Sequence, residues 1–545
     1  MKSPLRIIVV SGQVGAGKST LAEALERRFQ ARRLSTKDAL RNLAADTARQ
    51  LPNERRALQD FGAELDERTA GRWVADATVE LLGEYPAAEL VIIDAVRLHS
   101  QVERLREAFT SAVTHVHVYA PDDELARRYQ ERGNSSGITE LKSYDEVKAH
   151  ATEANVHKLK AEADIAVDSQ RCVPEDVLTR VAAALGLYGS GREQLVDVIV
   201  GGQYGSEGKG NIAFYLAPEY DVLMRVGGPN AGHKVPLPTP YTHRLLPSGT
   251  QANTNAKLLI GPGATLDVTL LMGEISDCSV DVDRLTIDPQ AMVIEDEDKA
   301  AEAALVAAIG STGKGGGHAA ARRISGRNNP NVQPAVRLAK DVPQLQPYVR
   351  ESAHVLEKAF RRGDLVLLEG TQGTELSLYH GSYPHVTSRD TTTAGCLAEA
   401  GIGPHRLRRV VQVSRTYPIR VQSPNNATSG PMSQEITFDD IAERSGIPAD
   451  ELHETEKGSV SNKKRRVAEF DWRMLRRAVE LNGSTDIALT FTDYLDQKNR
   501  DARRYEQLTP ETIRFVEEVE RVAGIPVSLL GTRFDVRSVI DRRRW

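Results

Sequence analysis

Two glycine-rich stretches, each containing a lysine, have the residue types and the spacing that bind phosphate groups. The first is GQVGAGKS at residues 12–19, which fits the pattern G-x-x-x-x-G-K-S, and the second is GGQYGSEGKG at residues 201–210. Each follows a short apolar run and precedes a helical pattern. Glycines let backbone N–H groups approach phosphate oxygens closely, and lysine supplies a compact positive charge. Both stretches therefore predict nucleotide binding and phosphoryl transfer.

The first stretch predicts a P-loop. Its amides would surround the phosphates, Lys18 would reach the β and γ oxygens, and the Ser19 hydroxyl would bind Mg²⁺. A second apolar run, residues 90–93, ends at Asp94, where P-loop proteins place an acidic side chain that holds hydrated Mg²⁺. A strand-end carboxylate that caps a turn is the alternative for Asp94. The predicted nucleotide-binding residues are Gly12, Gly15, Gly17, Lys18, Ser19 and Thr20.

Residues 124–132 combine a helical pattern with several arginines, after a third apolar run at 115–119. This stretch resembles the lid of small nucleoside-monophosphate kinases, where guanidiniums bind the transferred phosphoryl group. A solvated helix face is the other interpretation. Asp38, Arg41 and Arg97 are candidates for binding the acceptor. Residues 1–188 thus resemble a P-loop kinase of the nucleotide or dephospho-coenzyme-A type.

The second stretch cannot be aligned to the P-loop pattern. It resembles the phosphate loop of the adenylosuccinate synthetases, approximately GxQWGDEGKGK, and GGPNAGH at residues 227–233 resembles that family's GGxNAGH. Further patches follow in the family's order: the glycine-rich 309–317 with two arginines after it, LEGTQG at 368–373, YPHVTS at 383–388, TTTAG at 391–395 and SVSNKKRR at 459–466. No single patch is decisive, and the resemblance rests on their order along one chain.

The resemblance implies a reaction in two steps. A nucleoside triphosphate phosphorylates the 6-oxygen of a purine monophosphate, and the amino group of aspartate then displaces the phosphate. Lys209 and the loop amides would neutralise the transferred phosphoryl group, and His233 would donate to the 6-oxygen. The predicted catalytic residues are Ser206, Lys209, His233 and Gln372, and the predicted nucleotide-binding residues of this half are Gly205, Glu207, Gly208, Gly210, Phe491 and Asp493.

The resemblance also implies the substrate contacts. Asn230, Thr312 and Thr387 would hold the 5′-phosphate and Gln372 the base, while Arg322 or Arg323 would reach the same phosphate across a homodimer interface. Lys463 and Arg465 stand where the family binds the aspartate carboxylates with arginines, and a lysine cannot form the same planar two-bond contact. Mg²⁺ would contact Ser206 and Gly232 in this half, and Ser19 and Asp94 in the other.

One departure from the family concerns position 206, where Ser replaces the Asp of GDEGKGK. In the family that carboxylate takes the N1 proton of IMP and helps to hold Mg²⁺, and a hydroxyl is too weak a base to replace it unaided. A guanine, with its 2-amino group beside N1, would crowd a carboxylate there but has room beside a hydroxyl. The chain therefore resembles the phage branch of the family, the 2-aminoadenylosuccinate synthetases, which join aspartate to dGMP.

A second departure concerns the phosphoryl donor. Ordinary members read the guanine of GTP with a TKxD element, and the matching stretch places Phe491 at the lysine position while retaining Asp493. An aromatic ring can stack on adenine, which favours ATP or dATP. The persistence of Asp493 leaves GTP open.

Composition limits the class of protein. The 545 residues predict an α/β protein of at least two domains: a doubly wound parallel sheet at 1–188, a linker at 189–195 and an adenylosuccinate synthetase-like domain at 196–545. A net charge of −5 argues against general nucleic-acid binding. No apolar run reaches about 18 residues, and the three cysteines lack metal-ligand spacing, so we expect a cytoplasmic protein without a membrane anchor.

Three functions follow from the sequence. The first is a ligase that joins L-aspartate to dGMP with ATP or dATP, giving N6-succino-2-amino-2′-deoxyadenylate, fused to a deoxynucleoside-monophosphate kinase. The second is adenylosuccinate synthesis from IMP and GTP. The third is a nucleotide-sensing module that binds without turnover, against which the intact Lys209, His233 and Gln372 argue.

Overall fold

A computed structural model describes residues 5–47, 49–132, 139, 141–188, 193–457, 464–535 and 537–544. The chain divides into two compact units, Met1–Ser190 and Gly191–Trp545. Each unit has its own sheet and its own core, and each is described separately. Most of the linker predicted at 189–195 lies outside the described residues.

The first unit alternates strands and helices, as its apolar runs predict. Its strands are β1 (Arg6–Ser11), β2 (Arg32–Ser35), β3 (Leu90–Val96), β4 (Val113–Tyr119) and β5 (Ile165–Asp168). Its helices are α1 (Lys18–Phe29), α2 (Thr36–Asp46), α3 (Arg55–Thr69), α4 (Trp73–Glu84), α5 (His99–Phe109), α6 (Asp122–Arg132), α7 (Tyr144–Lys148), α8 (Ala151–Ala154) and α9 (Pro174–Ala184).

The strands of the first unit form one parallel sheet in the order β2-β3-β1-β4-β5. Alternate residues of β1 pack into different cores: Ile8 and Val10 join one cluster and Ile7 and Val9 the other. Because successive strand side chains point to opposite faces, this alternation shows that both faces of the sheet are covered. The predicted doubly wound parallel sheet is confirmed.

The second unit has a larger set of elements. Its strands are β6 (Val196–Gly201), β7 (Val222–Arg225), β8 (His233–Val235), β9 (Tyr241–His243), β10 (Lys257–Ile260), β11 (Thr265–Leu266), β12 (Leu285–Ile287), β13 (Met292–Val293), β14 (Val366–Glu369), β15 (Leu407–Arg415), β16 (Ile419–Val421), β17 (Glu435–Ile436), β18 (Arg465–Ala468), β19 (Asp486–Thr490), β20 (Val527–Gly531) and β21 (Val539–Asp541). Its helices are α10 (Lys209–Leu216), α11 (Val268–Asp277), α12 (Asp296–Ala301), α13 (Ala303–Ile309), α14 (Gly316–Ser325), α15 (Ser352–Arg362), α16 (Thr393–Ala400), α17 (Phe438–Ser445), α18 (Ala449–Thr455), α19 (Trp472–Asn482) and α20 (Pro510–Ala523).

The main sheet of the second unit has the order β12-β10-β7-β14-β6-β15-β19-β20-β21 in the described part of the chain. All its pairs are parallel except β20 with β21. Smaller pairings, β8–β9, β11–β13 and β16–β18–β17, lie outside it. Val196, Val198 and Val200 of the central β6 pack into one core cluster and Ile199 into another, so this sheet is also covered on both faces.

The parallel pairing places the ends of five strands side by side. Glu369 at the end of β14 is in register with Arg225 of β7, and Arg415 at the end of β15 is in register with Thr490 of β19. Gly201 ends β6 between them. In open parallel sheets, ligands bind at this carboxyl edge, and the residues found there are polar or charged although the strands are apolar.

The remaining sequence expectations concern membranes and cysteines. Within the described ranges, no helix is both long and apolar enough to cross a bilayer. Cys172, Cys278 and Cys396 are free thiols.

A buried polar cluster joins β1 to β4 in the first unit. The Ser11 hydroxyl lies 2.6 Å from His115 Nε2 and 2.8 Å from His117 Nδ1, and all three side chains are fully buried. Burial lowers the pKa of both imidazoles from 6.5 to about 4. The unfolded chain therefore binds more protons than the folded chain between these pH values, so the free energy of unfolding falls as the pH decreases through this window.

We expect hydrogen exchange of β1 and β4 peptides, corrected for intrinsic rates, to accelerate between pH 6.5 and pH 4. The double variant His115→Asn/His117→Asn should show a weaker pH dependence, because it has no buried imidazole to protonate. His99→Asn, at an exposed histidine of the same unit, is the matched control and should retain the wild-type dependence. Equal pH profiles for the wild type and the double variant would contradict this explanation.

Candidate functional site

The phosphate loop of the second unit connects β6 to α10 at the carboxyl edge of the sheet. Gly205 and Gly208 adopt positive φ angles of +87° and +91°, which only glycine adopts without strain. The buried Glu207 carboxylate accepts the N–H groups of Gln203 at 3.1 Å and Gly205 at 2.8 Å, and it pairs with the buried Lys209. Glu207 and the Gly205 amide, both predicted to bind nucleotide, are therefore engaged in shaping the loop.

Ser206 is the exposed residue of this loop, whose other residues are buried or half-buried. It has a φ of +58°, and its hydroxyl forms no hydrogen bond with the described residues. Its backbone carbonyl lies 3.5 Å from Nη1 of Arg415. The side chain at position 206 is thus free to contact a ligand.

Gly210 brings the loop and the predicted catalytic histidine together. A Cβ at Gly210 would lie 2.9 Å from the Cβ of His233, a distance that atoms of this type do not adopt. Glycine at position 210 therefore allows β8 to pack directly against the start of α10. This packing requires a glycine at position 210, and its predicted contact with the nucleotide stays a prediction.

His233 belongs to a buried network with residues from two strands of the main sheet. Its Nδ1 bonds to Oε1 of Glu369, which also accepts from the Ser248 hydroxyl, and Arg225 Nη1 lies 3.6 Å from the same oxygen. Glu369 Oε2 accepts the Ser248 N–H at 2.7 Å. Nε2 forms no hydrogen bond within the described part of the chain. The ring is therefore oriented by Glu369, and Nε2 is the atom that can meet a substrate. Gly232, the predicted metal-binding position, directly precedes this histidine.

Opposing charge effects set the ionisation of this network. Burial and the positive charge of Arg225 lower the pKa of His233, Glu369 opposes both, and the pKa falls from 6.5 to about 4. Burial alone would raise the pKa of Glu369, but the positive charges of Arg225 and His233 bring it down to about 2. At neutral pH the free protein therefore has an ionised Glu369 that accepts Nδ1–H from a neutral His233. A negative charge that develops near Nε2 would favour the imidazolium form.

Two residues predicted for different parts of the purine nucleotide lie in direct contact. Gln372 Nε2 donates to Thr387 Oγ1 at 2.7 Å, and Gln372 adopts a φ of +65°. The Cα of Gln372 lies 3.6 Å from the position that a Cβ on Gly205 would occupy. The structure thus brings LEGTQG and YPHVTS together beside the phosphate loop.

The glycine-rich stretch 309–317 leads into α14, and a carboxylate occupies the start of that helix. Glu302 accepts the N–H groups of Gly315 at 2.8 Å, Gly317 at 2.7 Å and His318 at 3.2 Å. These amides are consequently not free for a phosphate. A Cβ on Gly316 would lie 3.0 Å from Asn230 Oδ1, so GGPNAGH and this loop are neighbours. Thr312 is half-buried in the loop, and its hydroxyl forms no hydrogen bond with the described residues.

The expectation for Arg322 is corrected by its contacts. Its Nε and Nη2 bond to the two oxygens of Asp298 at 3.0 and 2.6 Å, and its other N–H groups go to the carbonyls of Val293, Pro334 and Ala335. A guanidinium has five N–H donors, and all five are used inside the same chain. Arg322 therefore has none left for a 5′-phosphate, and Arg323, whose Nη1 bonds two carbonyl oxygens, keeps that assignment as a prediction.

The predicted donor-base residues lie after β19. Phe491 has a φ of +59°, and the Arg415 guanidinium carbon lies 3.9 Å from its ring centroid. Asp493 is buried and pairs with Arg500 at 3.2 Å, while its Oδ1 is buried with no hydrogen-bond partner among the described residues. Burial raises the pKa of Asp493 to about 6. The buried Oδ1 of Asp493 can therefore accept a hydrogen bond from an N–H group on the base of the donor nucleotide.

The amino-acid side of the site is described in part, because Lys463 lies outside the described residues. Arg465 begins β18, and its Nη1 bonds to Glu456 Oε2 at 2.9 Å. Glu456 in turn binds Arg415. The predicted aspartate-binding arginine thus already has an acidic partner in this chain.

In the first unit, the residues predicted for Mg²⁺ lie together. Ser19 Oγ is 3.4 Å from Asp94 Oδ1, and Lys18 Nζ donates to the Gln13 carbonyl at 2.8 Å. Burial lowers the pKa of Lys18 to about 8. Asp94 Oδ2 also accepts from Arg33 Nη2 at 2.6 Å, a partner that sequence patterns did not indicate. A hydroxyl and a carboxylate are hard oxygen ligands, which suit Mg²⁺.

Glycines shape the P-loop, and a cavity lies beside it. Gly15 and Gly17 have φ angles of +87° and +97°, and a Cβ on Gly12 would lie 2.1 Å from the Val118 carbonyl oxygen. A cavity of about 390 Å³ opens beside the loop. Its lining includes Gly15, Gly17, Thr20, Leu21, Arg128 and Val177.

The two arginines Arg127 and Arg128 of α6 fit different interpretations, one a solvated helix face and the other a position at the P-loop. Arg127 is exposed and pairs with Glu124 and Glu131 on its own helix, as a solvated face does. Arg128 instead bonds to Ser169 Oγ at 3.0 Å, and Ser169 bonds to the P-loop carbonyl of Ala16 at 3.1 Å. Only Arg128 of this pair therefore lies at the P-loop.

The acceptor candidates of the first unit also separate. Arg41 and Asp38 form an exposed pair on α2 at 3.3 Å. Arg97 bonds to the buried Glu153 of α8 at 2.6 Å. Charges on Arg97 and on the buried Arg55 both act on the Lys18 ammonium, so these two guanidiniums lie near the P-loop. Arg55 and Glu153 were missed because neither belongs to a recognisable motif.

Comparison with known proteins matches two families to different parts of the chain. The family described as adenylosuccinate synthetase matches residues 198–337 and 328–500, and the AAA domain family matches residues 8–153. The adenylosuccinate synthetase of Pyrococcus horikoshii is 37% identical over 356 residues, which are 64% of this chain and 98% of that protein. The corresponding enzyme of Methanocaldococcus jannaschii is 36% identical over 64% of this chain and 96% of its own length.

Two solved structures resemble the chain. The cyanophage S-2L succinoaminodeoxyadenylate synthetase PurZ, bound to dGMP and dATP as an energy donor, has a TM-score of 0.54 at 28% identity, over 64% of this chain and 96% of that one. A fully ligated adenylosuccinate synthetase from Plasmodium falciparum has a TM-score of 0.55 at 21% identity, over 64% of this chain and all of that one, and supports the fold. The chain belongs to the adenylosuccinate synthetase family, as a C–N bond-forming ligase preceded by a P-loop, kinase-like domain.

Proposed function

We propose that the second unit joins L-aspartate to dGMP with ATP or dATP as phosphoryl donor, giving N6-succino-2-amino-2′-deoxyadenylate. The observation that carries this proposal is Ser206. It is exposed in a loop whose other residues are buried or half-buried, and a hydroxyl stands there in place of the family's carboxylate. The likeness to PurZ, whose structure holds dGMP and dATP, supports the same substrates.

The geometry suggests a role for each residue in the first step. Lys209 would stabilise the phosphoryl group as it moves from the donor to the 6-oxygen of guanine. His233, held at Nδ1 by Glu369, would present Nε2–H to that oxygen in its imidazolium form. Gln372, which lies beside Gly205, would contact the base. Thr387, which bonds to Gln372, and Asn230, which neighbours Gly316, would contact the 5′-phosphate.

The second step forms the C–N bond. The N1 proton is lost earlier, when the 6-oxygen is phosphorylated. In the second step the aspartate amine attacks C6, the C6–O bond breaks as the 6-phosphate leaves, and the amine loses its proton. Ser206 would accept a hydrogen bond from the 2-amino group and leave space for it. One buried hydrogen bond changes a substrate preference by about 1–3 kcal/mol, or roughly 5- to 150-fold. A single residue can therefore account for much of the choice between guanine and hypoxanthine.

Magnesium fits the oxygen ligands of both units. Ser206 and the Gly232 backbone would hold it in the ligase, and Ser19 with Asp94 in the P-loop domain, the remaining ligands being phosphate oxygens and water. When bound, Mg²⁺ neutralises charge on the phosphates.

The donor-base region supports adenine. Phe491 offers an aromatic surface where a guanine-reading lysine would stand, and the unpartnered Oδ1 of Asp493 can accept an N–H of the base. Guanine also carries N–H donors, so the preference for ATP or dATP must be measured against GTP. As in the family, we propose a homodimer in which Arg323 reaches the 5′-phosphate of the partner subunit.

We further propose that the first unit is a kinase for a nucleoside monophosphate, either dGMP or the diaminopurine product. The convergence of Lys18, Ser19 and Asp94 provides the phosphoryl-transfer groups, and the guanidiniums of the buried Arg55 and the half-buried Arg97 near Lys18 provide positive charge for an acceptor phosphate. The fusion would then combine two reactions of purine deoxynucleotide supply in one chain.

The Ser206→Asp variant tests the substrate assignment. A carboxylate at position 206 should lower kcat/KM for dGMP by about 5- to 150-fold and raise it for IMP, because it can accept the N1 proton but crowds the 2-amino group. Phosphate release with aspartate and each purine, using ATP, dATP or GTP, measures both values. Ser279→Asp is the matched control, since Ser279 is also exposed and has a φ of +49°. Unchanged preference in Ser206→Asp would refute the proposed role of this residue.

The Glu369→Gln variant tests the role of the histidine network. Loss of the carboxylate removes the charge that stabilises protonated His233, so kcat should fall by about 100-fold or more while KM for the purine changes little. Glu274→Gln is a matched control, because Glu274 is another buried carboxylate that accepts backbone N–H groups. A similar loss of kcat in both variants, or a loss explained by unfolding in thermal melts, would contradict a specific role for Glu369.

The Lys18→Ala variant separates the two activities. It should abolish ATP-dependent phosphorylation of nucleoside monophosphates, because the P-loop loses its cation, and leave the ligase reaction at wild-type rate. Chromatography of nucleoside mono- and diphosphates measures the first activity, and phosphate release the second. Loss of both activities in a folded variant would show that the ligase depends on Lys18.

A further inference from the structure

A single buried carboxylate lies between two arginines that face different parts of the proposed ligase site. Glu456 follows α18 and is only 4% exposed. Its Oε1 accepts from Arg415 Nη2 at 2.7 Å and from the Tyr494 hydroxyl at 2.6 Å, and its Oε2 accepts from Arg465 Nη1 at 2.9 Å. Burial alone would raise the pKa of Glu456, but Arg415 and Arg465 lower it to about 2, so the bridge is charged at neutral pH.

The Arg415 end of this bridge touches the donor side. Arg415 ends β15 and is fully buried. Its guanidinium carbon lies 3.9 Å from the centroid of the Phe491 ring. Its Nη1 is 3.5 Å from the carbonyl oxygen of Ser206 in the phosphate loop. A nucleotide that stacks near Phe491 and contacts the loop would therefore meet two surfaces that Arg415 supports.

The Arg465 end touches the amino-acid side. Arg465 is the first residue of β18, where the chain leaves the stretch assigned by resemblance to aspartate binding. Its side chain is 12% exposed, and Glu456 holds its Nη1. Because one carboxylate fixes both guanidiniums, a displacement of either arginine changes the position or the charge balance of the other.

We propose that Glu456 is a positioning residue that couples the donor-nucleotide site to the amino-acid site, so that the nucleotide and aspartate each strengthen the binding of the other. The assignment of the two sites rests on the proposed function. The coupling itself does not depend on whether the purine is dGMP or IMP. Energetic coupling between two ligands is reciprocal, and typical values change affinity by about 5- to 150-fold.

The variant Glu456→Gln tests this coupling while conserving the shape of the side chain. Calorimetry with a non-hydrolysable ATP analogue, with dGMP or IMP present, gives its Kd without and with aspartate, and binding to the P-loop unit is identified as the event that Lys18→Ala weakens. In the wild type, aspartate should tighten analogue binding by about 5-fold or more. In Glu456→Gln this factor should approach 1, and KM for aspartate should rise more than kcat falls, because Arg465 loses its anchor.

Glu435→Gln is the matched control, since it removes the acidic partner of the neighbouring Arg466 on the same strand, in an exposed pair. It should leave the coupling factor unchanged. If Glu456→Gln does not fold, Tyr494→Phe removes one bond to Glu456 without altering either arginine and should lower the factor in part. A wild-type factor of 1, or an unchanged factor in a folded variant, would overturn the proposal.

The two proposals fail separately. Coupling observed with IMP but not with dGMP would retain the role of Glu456 and refute the substrate assignment. Turnover of dGMP without coupling would support the substrate assignment and refute the role of Glu456.

Discussion

The parallel pairing of β6 with β14 and β15 is the constraint on which the ligase unit depends. In a parallel sheet the carboxyl ends of neighbouring strands lie at one edge, so the phosphate loop after β6 must lie beside Glu369 and Arg415. The apolar residues of the strands fix this register by filling cores on both faces. The register of the sheet therefore brings together the polar residues at the ends of the strands.

Buried charged side chains lie together at this edge, and each would destabilise the fold if it were buried without a partner. Glu207 pairs with Lys209, Glu369 with His233 and Arg225, and Glu456 with Arg415 and Arg465. Breaking a buried pair by removing one partner typically costs about 3–5 kcal/mol, because the remaining charge is uncompensated. The site is thus preorganised by carboxylates that do not themselves need to touch the substrate, and Ser206 is the exposed exception in the phosphate loop.

Sequence reasoning predicted the two glycine-rich loops and the α/β fold, because each rests on a local pattern. It did not predict the partners of the site residues. Glu369 was visible only as part of LEGTQG, and its bond to His233 joins positions 136 residues apart. Arg322 was assigned to a phosphate because Asp298, its true partner, lies in no motif. Glu302 and Glu456 were missed for the same reason: long-range pairing leaves no periodic signal in one sequence.

The central claim is that the side chain at position 206 selects the purine base. The decisive measurement is a competition in which the Lys18→Ala protein, whose kinase unit cannot consume dGMP, receives equal concentrations of dGMP and IMP with aspartate and ATP. Mass spectrometry then quantifies the two succinyl products. Since the ratio of products reports the ratio of kcat/KM values, the claim predicts that N6-succino-2-amino-2′-deoxyadenylate is formed in excess. A predominance of adenylosuccinate would contradict it.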